Sequence, residues 1–159
     1  MSKLKTNAMR ILDSKKIKYN VHSYNVKNKE HVDGVEVANQ IGKEVSQVYK
    51  TLVAMGSSKN IYVYVIPVNE HLDLKKGAKV AKEKNIEMIH VNDINKFTGY
   101  IRGGCSPIGM KKLYKTFLNK SAKDLETIIV SAGKIGYQVE LAPIDLQNIV
   151  NVEFEDIIK

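Results

Sequence analysis

The chain has 159 residues, 43% of them hydrophobic and 26% charged, which is the balance of one ordinary domain with a real core; two domains would be cramped. Its single cysteine, Cys105, excludes an intrachain disulfide and a multi-cysteine zinc site, and its longest apolar run, over residues 61–68, is far too short to span a bilayer. The formal charge of +8 is carried almost wholly by lysine, so it points either to an anionic partner such as a nucleic acid or to compositional bias, in a protein expected to be cytoplasmic with no membrane segment.

In chain order, Thr6 or Asn7 can cap a first helix with Ala8, Ile11 and Leu12 on one face, ending at Lys15-Lys16 where positive charge suits a helix C-terminus. In residues 17–24, Ile17, Tyr19, Val21 and Ser23 alternate with Lys18, Asn20, His22 and Tyr24, which predicts a half-buried strand with Tyr24 on its more polar side. A polar loop over residues 25–31 leads to Asp33-Gly34-Val35-Glu36, which resembles a capping box, and Val35, Ala38 and Ile41 then predict a helix ended by Gly42.

The next stretch, Gln47-Val48-Tyr49-Lys50-Thr51-Leu52-Val53-Ala54-Met55, reads as a strand apolar on both faces with one lysine set into it. Alternation puts Lys50 in a row with Val48, Leu52 and Ala54. Either Lys50 lies near the strand's end and carries its ammonium to water, or a polar or anionic group meets it there. After the turn over residues 56–60, the β-branched and aromatic run 61–66 predicts the second strand of a hairpin.

Asp73 can cap a third helix with Leu74, Ala78 and Ala81 inward and Lys75, Lys76, Lys79, Lys82 and Lys84 in other directions, the densest basic surface of the chain. Residues 86–91 read as a short strand, 93–97 as a helical turn, 99–109 as a glycine-rich loop, and 127–131 and 137–141 as strands around Ala132-Gly133-Lys134-Ile135-Gly136. Pro143 opens a last helix with Leu146, Ile149 and Val150 inward. Helices and strands intermix without strict alternation, so the expectation is one α/β or α+β domain over residues 1–159, with a mixed, curved sheet and helices packed outside.

His22, His31, His71 and His90 are scattered and form no metal motif, so neither a metal nor another cofactor is expected. No Gly-x-Ser-x-Gly elbow announces a serine nucleophile. Gly104 and Gly109 have the spacing of a phosphate-binding Walker loop, but Met110-Lys111 follows them and Pro107 removes a donor. The loop is left as a tight turn or as a cradle whose backbone N–H groups hold a carbonyl or carboxylate. Cys105 would need His90 or Lys50 beside it to become a nucleophile, and Ser131 is either a hydrogen-bonding group or turn chemistry.

Taken together, Tyr24, Val48-Tyr49-Lys50-Thr51-Leu52, Leu72-Asp73-Leu74-Lys75-Lys76, Thr98-Gly99-Tyr100 leading into Gly103-Gly104-x-Ser106-Pro107-x-Gly109-x-Lys111-Lys112, and Val130-Ser131-x-Gly133-Lys134 resemble the YbaK/EbsC family. Within it they are most similar to the YbaK-type cysteinyl-tRNA(Pro) deacylases, over almost the whole chain. The resemblance implies a trans-editing enzyme acting on mischarged tRNA(Pro), with prolyl-tRNA synthetase as a second partner. It further implies that Lys50 orients the aminoacyl end and that the Gly103 and Gly104 N–H groups hold the scissile carbonyl. Tyr24, Thr51, Tyr100, Ser106, Ser131 and Gln138 would contact the substrate. The family is thought to use the substrate's own thiol as nucleophile, which would need neither triad nor metal. Gln138 departs from the acid often found at its position in the family, which leaves the charge partner of Lys50 open. Two readings from other classes stand beside this one: a non-catalytic module binding tRNA or a synthetase, and a Schiff-base enzyme using Lys50.

Overall fold

The computed structural model describes residues 4–26 and 32–159; residues 27–31 of the polar loop read from the sequence lie outside it. Helix α1 (Asn7–Ser14) starts at Thr6, whose hydroxyl accepts from the Met9 N–H at 3.2 Å, and it buries Ala8, Met9 and Leu12. Helix α2 (Gly34–Ile41) ends at Gly42 with φ 72°, the left-handed turn that glycine favours. Asp33 occupies the N-cap position of α2, but the capping box is not made: its carboxylate forms no hydrogen bond to the helix.

Two antiparallel strands, β2 (Tyr49–Gly56) and β3 (Ile61–Pro67), form the expected hairpin, with Lys50 opposite Ile66. Helix α3 (Leu74–Ala81) is capped by the Asp73 carboxylate, which accepts from the Lys75 and Lys76 N–H groups at 3.0 Å. Its inner face differs from the expected one, since Gly77 and Ala78 are buried while Leu74 is 45% exposed. The cause is the Tyr64 ring: its hydroxyl donates to the Gly77 carbonyl at 2.8 Å, and a Cβ on Gly77 would meet the ring at 3.2 Å.

Strand β4 (Ile86–Met88) and helix α4 (Ile94–Thr98) lead into the glycine loop, and β6 (Ile128–Ser131), β7 (Tyr137–Leu141) and α5 (Pro143–Ile149) lie where the sequence puts them. Strands β5 (Lys115–Asn119) and β8 (Val152–Glu155) were not read from the sequence, and together they complete a sheet of order β4-β2-β3-β5-β8. A second sheet has the order β1-β7-β6, in which β1 is Asn20–Ser23. The α+β class with a mixed sheet holds, but the sheet is divided in two, and a parallel bridge between Val48 and Ile129 joins the parts. The core shared by both sheets also takes in α1 and α5, through Leu12, Val65, Val130, Val139 and Leu146.

Strand β1 inverts its expected faces. Val21 is 49% exposed at the sheet margin whereas Tyr24, expected on the polar side, is 9% exposed. The inner side of this strand meets polar partners: His22 lies opposite Gln138 and bonds Glu140, so polarity here marks the inside. No helix among the described residues is long and apolar enough to cross a membrane.

Candidate active site

A cavity of about 230 Å³ lies at the seam of the two sheets. Its position follows from how β2 is paired. One edge of β2 is bonded to β3 along its length, while β4 covers the other edge only from Ala54 to Gly56. On that second edge the Gln47 carbonyl accepts from the Ile129 N–H at 3.0 Å and the Val53 carbonyl accepts from the Ile89 N–H at 3.2 Å. By the alternation of an antiparallel ladder, the N–H and C=O groups of Tyr49 and Thr51 point to the same edge; the bridge of Val48 with Ile129 takes the Tyr49 N–H, and the Thr51 groups lie in the gap beyond it. The cavity opens on this gap, which explains why residues from both faces of β2, Val48, Lys50 and Leu52 as well as Tyr49 and Thr51, line it.

Lys50 is half-buried there. Burial lowers its pKa from the ordinary 10.5, and the charges of Asp33 and Glu70 partly offset this. Among the described residues no carboxylate comes within ion-pair distance of its ammonium. Asp33 and Glu70 are therefore the counter-charges that the glutamine at 138 left open, and they act at a distance.

Of the residues expected at the site, the cavity gathers Lys50, Gly103, Tyr24, Thr51, Ser131 and Gln138. Thr51 Oγ1 and Gln138 Oε1 are buried and have no hydrogen-bond partner among the described residues. Buried polar atoms are rarely left so. The Ser131 hydroxyl accepts from the Gly133 N–H at 3.2 Å, so it both shapes a turn and faces the cavity.

Gly104, Tyr100 and Ser106 are not part of the lining, and each has a structural task that explains why. The Gly104 N–H donates to the Ile101 carbonyl at 2.9 Å inside the loop's own turn, so it is not available to a substrate carbonyl. A Cβ on Gly104 would also stand 3.0 Å from the Ile135 nitrogen, where the loop presses on the turn after β6. Gly103, at φ 83°, faces the cavity, and its N–H has no acceptor among the described residues. The Tyr100 hydroxyl donates to the Ile108 carbonyl, and a Cβ on Gly133 would meet its ring at 2.8 Å, so Tyr100 is a post under the loop. Ser106 is fully buried, its hydroxyl accepting from the Ile108 N–H at 3.2 Å.

Cys105 lines the cavity, but burial pushes its thiol up to about 11, a hydrogen bond with Thr98 pulling weakly the other way. A thiol so placed stays protonated at neutral pH and is a poor nucleophile. Two charged lining residues escaped the sequence reading of the site: Asp33, taken for a helix cap, and Arg102, an exposed side chain of the glycine loop. The signal for Arg102 was its rarity, since Arg10 is the other arginine of the chain.

Behind the cavity, Glu140 is the centre of a polar cluster that the sequence also did not announce. Its carboxylate accepts from Thr127 Oγ1 at 2.6 Å and Gln47 Nε2 at 3.2 Å, and it meets His22 Nε2 at 2.7 Å and Lys43 Nζ at 3.7 Å. Burial alone would raise its pKa, but Thr127, His22 and Lys43 hold it below the ordinary value. This cluster ties β1, β7, the start of β6 and the entry to β2 together. Of the basic helix α3, Lys75 and Lys79 are exposed, whereas Lys76 is turned onto Asp156 and the Ile158 carbonyl at 3.1 and 2.8 Å.

The cleft thus brings together a half-buried lysine, a loop amide without an acceptor among the described residues, and the oxygens of Thr51 and Gln138, a set of donors and acceptors able to hold a small polar group. Residues 29–149 match the model of the aminoacyl-tRNA editing domain family, and the chain belongs to that family. It is 45% identical over 153 residues to EbsC of Enterococcus faecalis, assigned as a Cys-tRNA(Pro)/Cys-tRNA(Cys) deacylase, covering 96% of this chain and 93% of that one. The fold is shared with a solved structure assigned as a trans-editing enzyme for prolyl-tRNA synthetase, at TM-score 0.82 and 20% identity over 99% of both chains. It is shared also with the hypothetical protein APE2540, at TM-score 0.83 and 16% identity over 94% of this chain and 97% of that one.

Proposed function

We propose that this protein is a trans-editing deacylase that removes cysteine from mischarged tRNA(Pro), acting in company with prolyl-tRNA synthetase. The observation that carries the reading is the cavity on the open edge of β2, where Lys50, the Gly103 amide and two polar atoms without partners among the described residues converge. The relative assigned as a Cys-tRNA(Pro)/Cys-tRNA(Cys) deacylase supports the same substrate. Editing by a separate site is physically reasonable, because a hydrophobic pocket discriminates poorly between side chains of nearly equal volume.

In this reading the substrate's thiol gives up its proton and its sulfur attacks the ester carbonyl carbon. A carbon–sulfur bond forms, the carbon–oxygen bond to the terminal ribose breaks, and the ribose oxygen leaves with a proton. The cyclic thioester is then opened by water. Gly103 donates its N–H to the oxygen on which negative charge develops, and Lys50 holds the ester end by charge. Tyr24, Thr51, Ser131 and Gln138 wall the aminoacyl group. Cys105 stays a thiol throughout, in keeping with its raised pKa.

The direct test is to incubate the protein with cysteine-, alanine- and proline-charged tRNA(Pro) and follow ester loss. Cysteine is released fastest and the proline ester is spared; equal rates for cysteine and alanine overturn the substrate-thiol route. The lowered pKa of Lys50 is the observation that favours a Schiff-base enzyme instead, and borohydride trapping of an adduct at Lys50 would establish that alternative.

A further inference from the structure

Beside the donors Lys50, Arg102 and the Gly103 N–H, the cavity also presents acceptors without partners among the described residues. Gln138 is 7% exposed and its Oε1 has no donor among the described residues; Thr51 Oγ1 is in the same condition. Asp33 lines the same cavity from the N-cap position of α2 and leaves its carboxylate out of the cap. That is unusual chemistry for a cap: the N-terminal N–H groups of a helix are the natural donors for such a carboxylate. An exposed carboxylate at the rim of the cleft and, deeper in it, a buried amide oxygen with no donor among the described residues together suit a ligand group that is cationic and rich in donors.

We propose that Asp33 receives the α-ammonium group of the aminoacyl ester, with Gln138 Oε1 as the second acceptor. The assignment rests on the deacylase reading above and adds a recognition element to it. In an aminoacyl ester the ammonium-bearing carbon is bonded directly to the carbonyl carbon. Any site that brings Lys50 to the carbonyl end therefore also brings a second cation close to Lys50. A nearby anion offsets that repulsion, and Asp33 is already the stronger of the two counter-charges that act on Lys50. In the free protein Asp33 steadies Lys50; with substrate bound, it also holds the ammonium. Gln138 can accept without adding a second negative charge, so the amide at this position is matched to an acid at position 33.

The test uses the intact protein and two non-hydrolysable probes in calorimetry: 3′-deoxy-3′-(alanylamino)adenosine, which bears the ammonium, and its 3′-propionylamino counterpart, which lacks it. The wild-type protein binds the ammonium probe about tenfold to hundredfold tighter, the range of a hydrogen bond to a charged group. Asp33→Asn loses that margin and leaves the propionylamino probe unaffected. Asparagine caps helices as well as aspartate does, so α2 is preserved, and Asp33→Ser provides a second capping variant with the same expected loss. Equal weakening of both probes would mean that Asp33 acts only through Lys50 or through the fold, and would overturn the proposal, as would a wild-type protein indifferent to the ammonium. Failure of the deacylase reading is distinguishable: it is seen when wild-type protein releases no cysteine from charged tRNA, a result that leaves the probe comparison decisive for Asp33.

Discussion

Two polar side chains two residues apart on one face of β7 have opposite fates. Glu140 is satisfied by Thr127, His22 and Gln47 and lies near Lys43, while Gln138 shares its face and its amide oxygen has no partner among the described residues. Both are buried. The difference is between polarity spent on holding strands together and polarity held in reserve for a ligand. A satisfied buried network fixes geometry, and its removal costs stability. An unsatisfied atom already carries its desolvation penalty, so its removal costs little stability and shows itself in binding.

This contrast can be broken in four ways. The largest effect is expected for Lys50→Ala, which lowers cysteine release from tRNA by about a hundredfold to a thousandfold, the scale of losing one preorganised charge-stabilising group. Its melting temperature does not fall, because burial already disfavours the charged lysine. Unchanged deacylation in this variant would remove Lys50 from the site.

Glu140→Ala comes next, destabilising the fold by about 1–3 kcal/mol in urea unfolding as Thr127, His22 and Gln47 lose their acceptor. The same group makes stability depend on acid. Glu140 has its pKa held below the ordinary 4.5, so its contribution is fully present above that value and is lost as the pH falls through the lower folded value. A Glu140→Gln variant lacks that component, and its unfolding free energy declines less steeply below about pH 4.5 than that of the wild type.

Thr51→Val and Gln138→Leu are expected to behave in the reverse manner. Their melting temperatures hold or rise, while kcat/KM for cysteinyl-tRNA falls about tenfold, the worth of a net hydrogen bond. A stability loss in either variant equal to that of Glu140→Ala would erase the contrast. The smallest effect belongs to Cys105→Ser, with kcat within about twofold of wild type, because a protonated thiol supplies no nucleophile. Loss of activity there would point to a protein thiolate.

The fold was legible wherever one face of an element is apolar and its ends carry their own signals. Thr6, Asp73, Gly42 and Pro143 marked helix ends that the structure has, and the 61–66 run left no doubt about a strand. Strand β5 was hidden because it follows the glycine loop through Lys111, Lys112 and Lys115, and β8 because Glu153 and Glu155 interrupt its apolar residues. In both, parallel pairing with distant strands overrides a weak local pattern. Lys50 was conspicuous as a cation in an apolar row. Asp33 was hidden for the opposite reason, since an acid before a helix already has an ordinary explanation. Gly104, Tyr100 and Ser106 travel with the motif but support the loop from beneath, a distinction of depth that a linear pattern does not carry.

The gap in the pairing of β2 has a consequence for solubility. A bare strand edge is a template on which other chains can build, and soluble proteins ordinarily guard such edges. Here the exposed backbone is confined between the Gln47 bond to Ile129 and the Val53 bond to Ile89. Stretches that nucleate stacked strands run to about six residues, longer than this opening. The opening therefore leaves a few backbone groups bare at the cavity while denying a foothold to another polypeptide.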